Sequence, residues 1–161
     1  MIENLGNIGD FIGGIGVVVT LIYLATQIRQ NTRSLRLSSL QQIMGTSVSI
    51  NETSSIGPIP EILAKLELHE RLDEKEFARY LMYIWAMLTH HWQVFYQYQN
   101  GMIDQEVFNA YVARLRIVLN TSLSRGMWRT RMRKSFPKDF QEFIDAQIED
   151  HAQQIAEVAI G

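Results

Sequence analysis

FIGGIGVVVTLIYLATQI, residues 11–28, is eighteen residues long and carries no formal charge. At 1.5 Å per residue a helix of that length covers roughly 27 Å, close to a bilayer's hydrocarbon core. From Ile15 to Leu24 it is apolar on every side, which leaves no face for water. These residues predict a membrane-spanning helix, with the anchor taken as residues 1–30. Extension back through Ile8 reaches the rest of the core and places Asp10 near a headgroup. Tyr23 and the hydroxyls of Thr20 and Thr26 are tolerable in lipid, because threonine can bond back to its own helix. Two other readings compete. A core helix buried in a soluble bundle has a similar length. A secretory signal would begin with basic residues, whereas Met1 to Asp10 holds Glu3, Asp10 and no Lys or Arg.

The flanks set an orientation. Arg29, Arg33 and Arg36 follow the span with no acid among them, and the preceding flank is acidic. Basic residues stay cytoplasmic, so the expected topology is N-terminus outside and C-terminal domain inside, at a bacterial inner (cytoplasmic) membrane. The three arginines are expected to meet lipid headgroups. Small residues recur at Gly6, Gly9, Gly13, Gly16 and Thr20, at spacings of three, four, three and four. Lipid gives helices little hydrophobic drive to associate, so close backbone approach through small side chains is what favours packing. This stripe, with its Gly9–Gly13 GxxxG pair, predicts a homo-oligomer. The alternative is that glycine is simply commoner in membrane helices.

The run IGGIGVVVTLIYLATQIRQNTRSLR, Ile12 to Arg36, resembles the opening of a widespread group of uncharacterised bacterial proteins. Its members share a glycine-bearing apolar helix, a QIRQNTRSLR-like stretch, and then a helical region with aromatic-rich patches. The resemblance covers roughly the first quarter of the chain. It implies membrane attachment and supplies no activity.

The composition of the whole chain is that of a globular protein: 161 residues, 47% hydrophobic and 20% charged. A formal charge of −2 gives no global attraction to nucleic acid, which is not expected as a partner. The absence of cysteine excludes disulfides, thiolate catalysis and cysteine-held zinc. With prolines only at 58, 60 and 137, long stretches lack a breaker. The expected fold is all-α, one transmembrane helix followed by a four- to five-helix soluble bundle.

The elements read as follows. Residues 31–56 form a helical stalk or first bundle helix, with Leu37, Leu40, Met44 and Val48 as its apolar stripe. Ser54 to Pro60 is the linker, and the helical domain occupies 61–161, beginning with a short helix from Glu61 to about Arg71. The strongest helix runs from Asp73 to Asn100, with Asp73 as N-cap, Glu76 closing a capping box and Gly101 as C-terminal glycine. Its stripe Phe77, Leu81, Ile84, Leu88, His91, Phe95 and Tyr98 faces the core. A second stripe beside it, Met82, Trp85, Thr89, Trp92 and Tyr96, widens the buried arc. Asp104 opens a helix ending near Gly126, with Val107, Tyr111, Leu115 and Val118 inward. A basic segment, 127–136, ends at Pro137. The last helix starts near Asp139 and turns Phe140, Ile144, Ile148, Ile155 and Val158 inward.

Chemistry has few footholds. His90 and His91 point about 100° apart on a helix, so they cannot share one metal, and neither has a ligand three or four residues away. They read as core or interface histidines, bonded to a backbone group. His69 lies four residues before Asp73, which is better used as a cap, and His151 beside Asp150 has no partner motif. The acids at 61–76 and 142–150 read as solvated faces. No phosphate-loop, nucleophile-elbow, zinc-protease or dinucleotide motif occurs. No catalytic residue, metal or cofactor is expected. Arg125, Arg129 and Arg133, at four-residue steps among Met127, Trp128 and Met132, form either a headgroup-binding face or a face paired with the acidic last helix.

Three function classes follow. The first is a non-enzymatic, membrane-anchored homo-oligomer that scaffolds or modulates a membrane-protein partner at the cytoplasmic face. The second is a small oligomeric channel, with Thr20, Thr26 and Gln27 lining a ring of N-terminal helices. The third is an enzyme or ligand-binding domain built on the aromatics around Trp85, Trp92 and Tyr96.

Overall fold

The computed structural model describes the backbone of residues 2–160 and the side chains of residues 13–149. Among these residues the protein is all-α, with six α-helices and no strand. The chain divides into two compact units, Met1–Ser38 and Ser39–Gly161.

Helix α1, Ile2–Ile56, contributes to both units and runs unbroken through the expected boundary at residue 30. It stops where the sequence placed a linker, since Pro58 cannot continue an α-helix. A Cβ on Gly57 would lie 3.3 Å from the Thr53 carbonyl oxygen. Helix α2, Ile59–Glu67, begins at once, with proline in its first turn where the missing N–H costs nothing.

Helix α2 ends four residues earlier than expected. His69 takes a left-handed backbone, φ 57°, and the amides of His69 and Glu70 close back on the Leu66 and Lys65 carbonyls. That is a Schellman stop with histidine in the position glycine usually fills. Helix α3, Glu74–Gln99, then opens on Asp73. Asp73 Oδ1 accepts from the Glu76 amide at 2.8 Å and Glu76 Oε2 accepts from the Asp73 amide at 2.9 Å. Glu76 also pairs with Lys65, tying α2 to α3. Gly101, φ 67°, terminates α3 as the sequence indicated.

Helix α4, Gln105–Val118, is capped by Asp104. It does not continue to Gly126. Thr121 starts a separate helix, α5 (Ser122–Met127), by accepting from the Ser124 amide at 3.0 Å. A π-helical turn, Trp128–Met132, and a 3₁₀ turn, Arg133–Ser135, lead into α6, Lys138–Ile160.

The core of the second unit is continuous. Ile43 from α1 joins Ile62, Tyr80, Ile84, Leu88, Leu115, Trp128, Met132, Phe140 and Ile144, each at most 1% exposed. The Phe77-to-Tyr98 stripe faces this core, with Ile84, Leu88, His91 and Phe95 fully inside. Phe140, Ile144 and Ile148 are buried as expected, while Ile155 and Val158 lie outside the described residues.

Two expected core stripes are exposed. Leu37, Met44 and Val48 are each more than half exposed, because α1 turns Ile43 and Ser47 inward instead. On α3, Met82 and Tyr96 are 61% and 63% exposed. Trp85 and Trp92 are partly covered by Phe136, whose ring centroid lies 6.0 Å from each. Helix α3 is therefore fully covered on one side only.

Candidate functional site

In the first unit the helix surface from Ile15 to Ile28 is largely apolar and exposed. Ile15, Val17, Val18, Val19, Leu21, Ile22, Leu24 and Ile28 are between 47% and 66% exposed. Three polar side chains among them donate hydrogen bonds within the helix. Thr20 and Thr26 donate to the carbonyls of Gly16 and Ile22, each at 2.8 Å, and Gln27 Nε2 donates to the Tyr23 hydroxyl at 2.6 Å. Thr32, Thr46 and Thr53 bond back in the same way, so this geometry permits lipid exposure without requiring it. Among the described residues no helix is long and apolar enough to cross a membrane. The expected span starts at Phe11, and Phe11 and Ile12 lie outside the described side chains.

The small-residue stripe is described in part. Gly6 and Gly9 lie outside the described side chains. At Gly13 and Gly16 an added Cβ would meet nothing within 4 Å, so this face is open. Arg29, Arg33 and Arg36 are all exposed.

The basic segment of the second unit does not present one arginine face. The π-helical turn breaks the four-residue register after Met127. Arg125 donates to the carbonyls of Leu119 and Asn120, closing the C-terminal end of α4. Arg133 pairs with Asp145 of α6 at 2.8 Å, and Asp145 also accepts from the buried Trp128 Nε1 at 2.8 Å. Arg129 alone of the three is left exposed with no hydrogen bond or ion pair to a described residue. Arg133 thus follows the second alternative, pairing with the last helix. Burial raises the Asp145 pKa, but the bonds from Arg133 and Trp128 outweigh it and hold the carboxyl below its ordinary value.

The most polar buried region lies where α1, α3 and α4 meet. Ser47 Oγ is 2.8 Å from His90 Nε2 and 3.0 Å from the Tyr111 hydroxyl, forming a three-group chain. His91 Nδ1 donates to the Met87 carbonyl at 2.7 Å, which fixes the proton on that nitrogen in the neutral ring. Burial pushes His91 down to about 4, against the pull of the Met87 carbonyl, with His90 adding to the effect. Burial and Arg114 also lower His90. His90 Nδ1 and His91 Nε2 are buried with no hydrogen-bond partner among the described residues. Both histidines line a cavity of about 260 Å³ with Ser47, Asn51, Tyr111 and Arg114.

His91 is thus a core histidine bonded to backbone, as the sequence indicated, whereas His90 bonds a side chain. Among the described residues no group of three His, Cys, Asp or Glu side chains could hold a metal. His69 serves as a helix stop, and His151 lies outside the described side chains. Sequence reasoning missed Ser47 and Arg114. The usable signal for Ser47 is its position four residues after Ile43, but Met44 and Val48 make the neighbouring face the more apolar one. No family model, curated protein or solved structure matches the chain.

Proposed function

We propose that this protein is a membrane-anchored, homo-oligomeric helical protein that scaffolds or modulates a membrane-protein partner at the cytoplasmic face of a bacterial inner membrane. The carrying observation is the exposed apolar surface from Ile15 to Ile28, a stretch in which Thr20, Thr26 and Gln27 each donate a hydrogen bond within their own helix. Soluble monomers rarely expose more than a few hundred Å² of contiguous apolar surface. Moving such a surface from water into hydrocarbon is worth on the order of 10 kcal/mol. Arg29, Arg33 and Arg36 then lie at the cytoplasmic headgroups, each adding roughly 1 kcal/mol near anionic lipid. Arg129, Arg131 and Lys134 of the second basic segment are exposed and suit the same role.

The open face at Gly13 and Gly16 supports self-association, since a neighbouring helix can approach the backbone closely there. Replacing both glycines by Leu tests this. The detergent-extracted complex should fall to monomer mass by light scattering, and an unchanged mass would remove the basis for the oligomer. The resemblance of residues 12–36 to the opening of an uncharacterised bacterial group supports the membrane attachment alone. A channel remains the second reading, but Thr20 and Thr26 already spend their donors within the helix, which leaves less to line a wet pore.

A further inference from the structure

The histidine-lined cavity shares one wall with a second space. A groove of about 400 Å³ lies between α1 and α4, and Ser47, Asn51, Tyr111 and Arg114 line both spaces. The rest of the groove is hydrocarbon: Leu40, Met44, Val48, Val107 and Ala110. Met44 and Val48 are 56% and 54% exposed, so this apolar wall faces solvent. Among the described residues Arg114 is the one charged residue on either lining, and no carboxylate lines either space. Its guanidinium sits 5.7 Å over the Tyr111 ring, and it has no carboxylate partner among the described residues.

These features select an occupant by complementarity. One guanidinium beside neutral hydroxyl and amide groups suits a single negative charge, and its planar fork matches a carboxylate. An apolar trough leading away from that charge suits an unbranched hydrocarbon. At roughly 30 Å³ for a group the size of water, the groove holds about a dozen such groups. We propose that this groove binds a medium-chain fatty acid, with its carboxylate on Arg114 and its chain along Leu40, Met44, Val48 and Val107. The site lies wholly within the second unit, so the proposal does not depend on how residues 11–28 are accommodated.

The test is photolabelling of the full chain with a dodecanoate carrying a mid-chain diazirine, mapped by peptide mass spectrometry. Label should concentrate on residues 40–51 and 107–118. Dodecanoate should compete, while dodecanol and dodecyltrimethylammonium at equal concentration should not. Arg114→Gln should weaken competition about tenfold, the scale of one charge-assisted hydrogen bond, and Arg114→Lys should restore part of it. Ala110→Trp, at an exposed position, should fill the groove and remove the label with helicity unchanged. Label spread evenly along the chain, competition by dodecanol as strong as by dodecanoate, or an Arg114→Gln variant that labels like the parent would each overturn the proposal.

Discussion

Ser47 Oγ lies 2.8 Å from His90 Nε2, and the same oxygen is 3.0 Å from the Tyr111 hydroxyl, so one side chain of α1 joins α3 and α4. Ser47→Ala leaves His90 Nε2 and the Tyr111 hydroxyl without that partner in a half-buried setting. Leaving a buried polar group unpaired costs about 1–3 kcal/mol. We expect Ser47→Ala to lower the thermal midpoint by several degrees in circular dichroism. Tyr111→Phe should cost less, because Ser47 keeps its bond to His90. Equal losses in the two variants would mean that Ser47 does not organise the cluster.

His91 predicts a pH window. Its folded pKa, about 4, is depressed from an ordinary 6.5. Between those values the unfolded chain binds more protons than the folded one, so stability falls as the pH drops from about 6.5 to about 4. The full loss is about 3 kcal/mol at 1.36 kcal/mol per pH unit. His90 is shifted in the same direction and adds to it. His91→Leu should flatten the stability profile across this window in urea titrations. A parent protein equally stable at pH 7 and pH 4.5 would contradict the burial argument.

Asp145 joins Trp128 and Arg133. Trp128 is completely buried, so Asp145→Ala strands its indole N–H and should cost about 2 kcal/mol. Arg133→Gln should cost less, because Trp128 keeps its acceptor. Because Asp145 has a lowered pKa, its contribution is present above the ordinary carboxylate pKa and lost as the pH falls through the folded value. That loss lies below the histidine window. Denaturation of the two variants side by side checks the order.

The two helix stops allow an opposed pair of substitutions. Gly101 and His69 both adopt left-handed backbone, at φ 67° and 57°. Glycine takes this conformation without strain and histidine does not. Gly101→Ala should destabilise by about 1 kcal/mol and His69→Gly should stabilise by a similar amount. Thermal melts of both should move in opposite directions, and a shift of the same sign in both would contradict the stop at His69.

Much of this architecture is legible in the residues. Asp73 with Glu76, Asp104, Gly101 and Pro58 each act locally, and local chemistry marks helix ends. The Phe77-to-Tyr98 stripe was readable because its spacing persists through seven positions. What failed needed tertiary knowledge. Met44 and Val48 carry the stronger apolar signal on α1, yet Ile43 and Ser47 face inward, because Ser47 supplies the partner that His90 and Tyr111 need. Trp85 and Trp92 read as core, but they lie at its edge beside Phe136, still 38% and 36% exposed. Arg125, Arg129 and Arg133 read as one face until the π-helical turn shifts their register. Arg114 carried no signal at all, since its meaning lies in which side chains stand around it.

Membrane anchoring by residues 11–28 is tested most directly by carbonate washing and flotation of membranes from cells expressing the full chain. The protein should float with lipid after an alkaline wash, and Val18→Arg together with Leu21→Arg should release it to the soluble fraction. A full-length parent protein that stays in plain buffer as a monomer after cell breakage would contradict the anchoring.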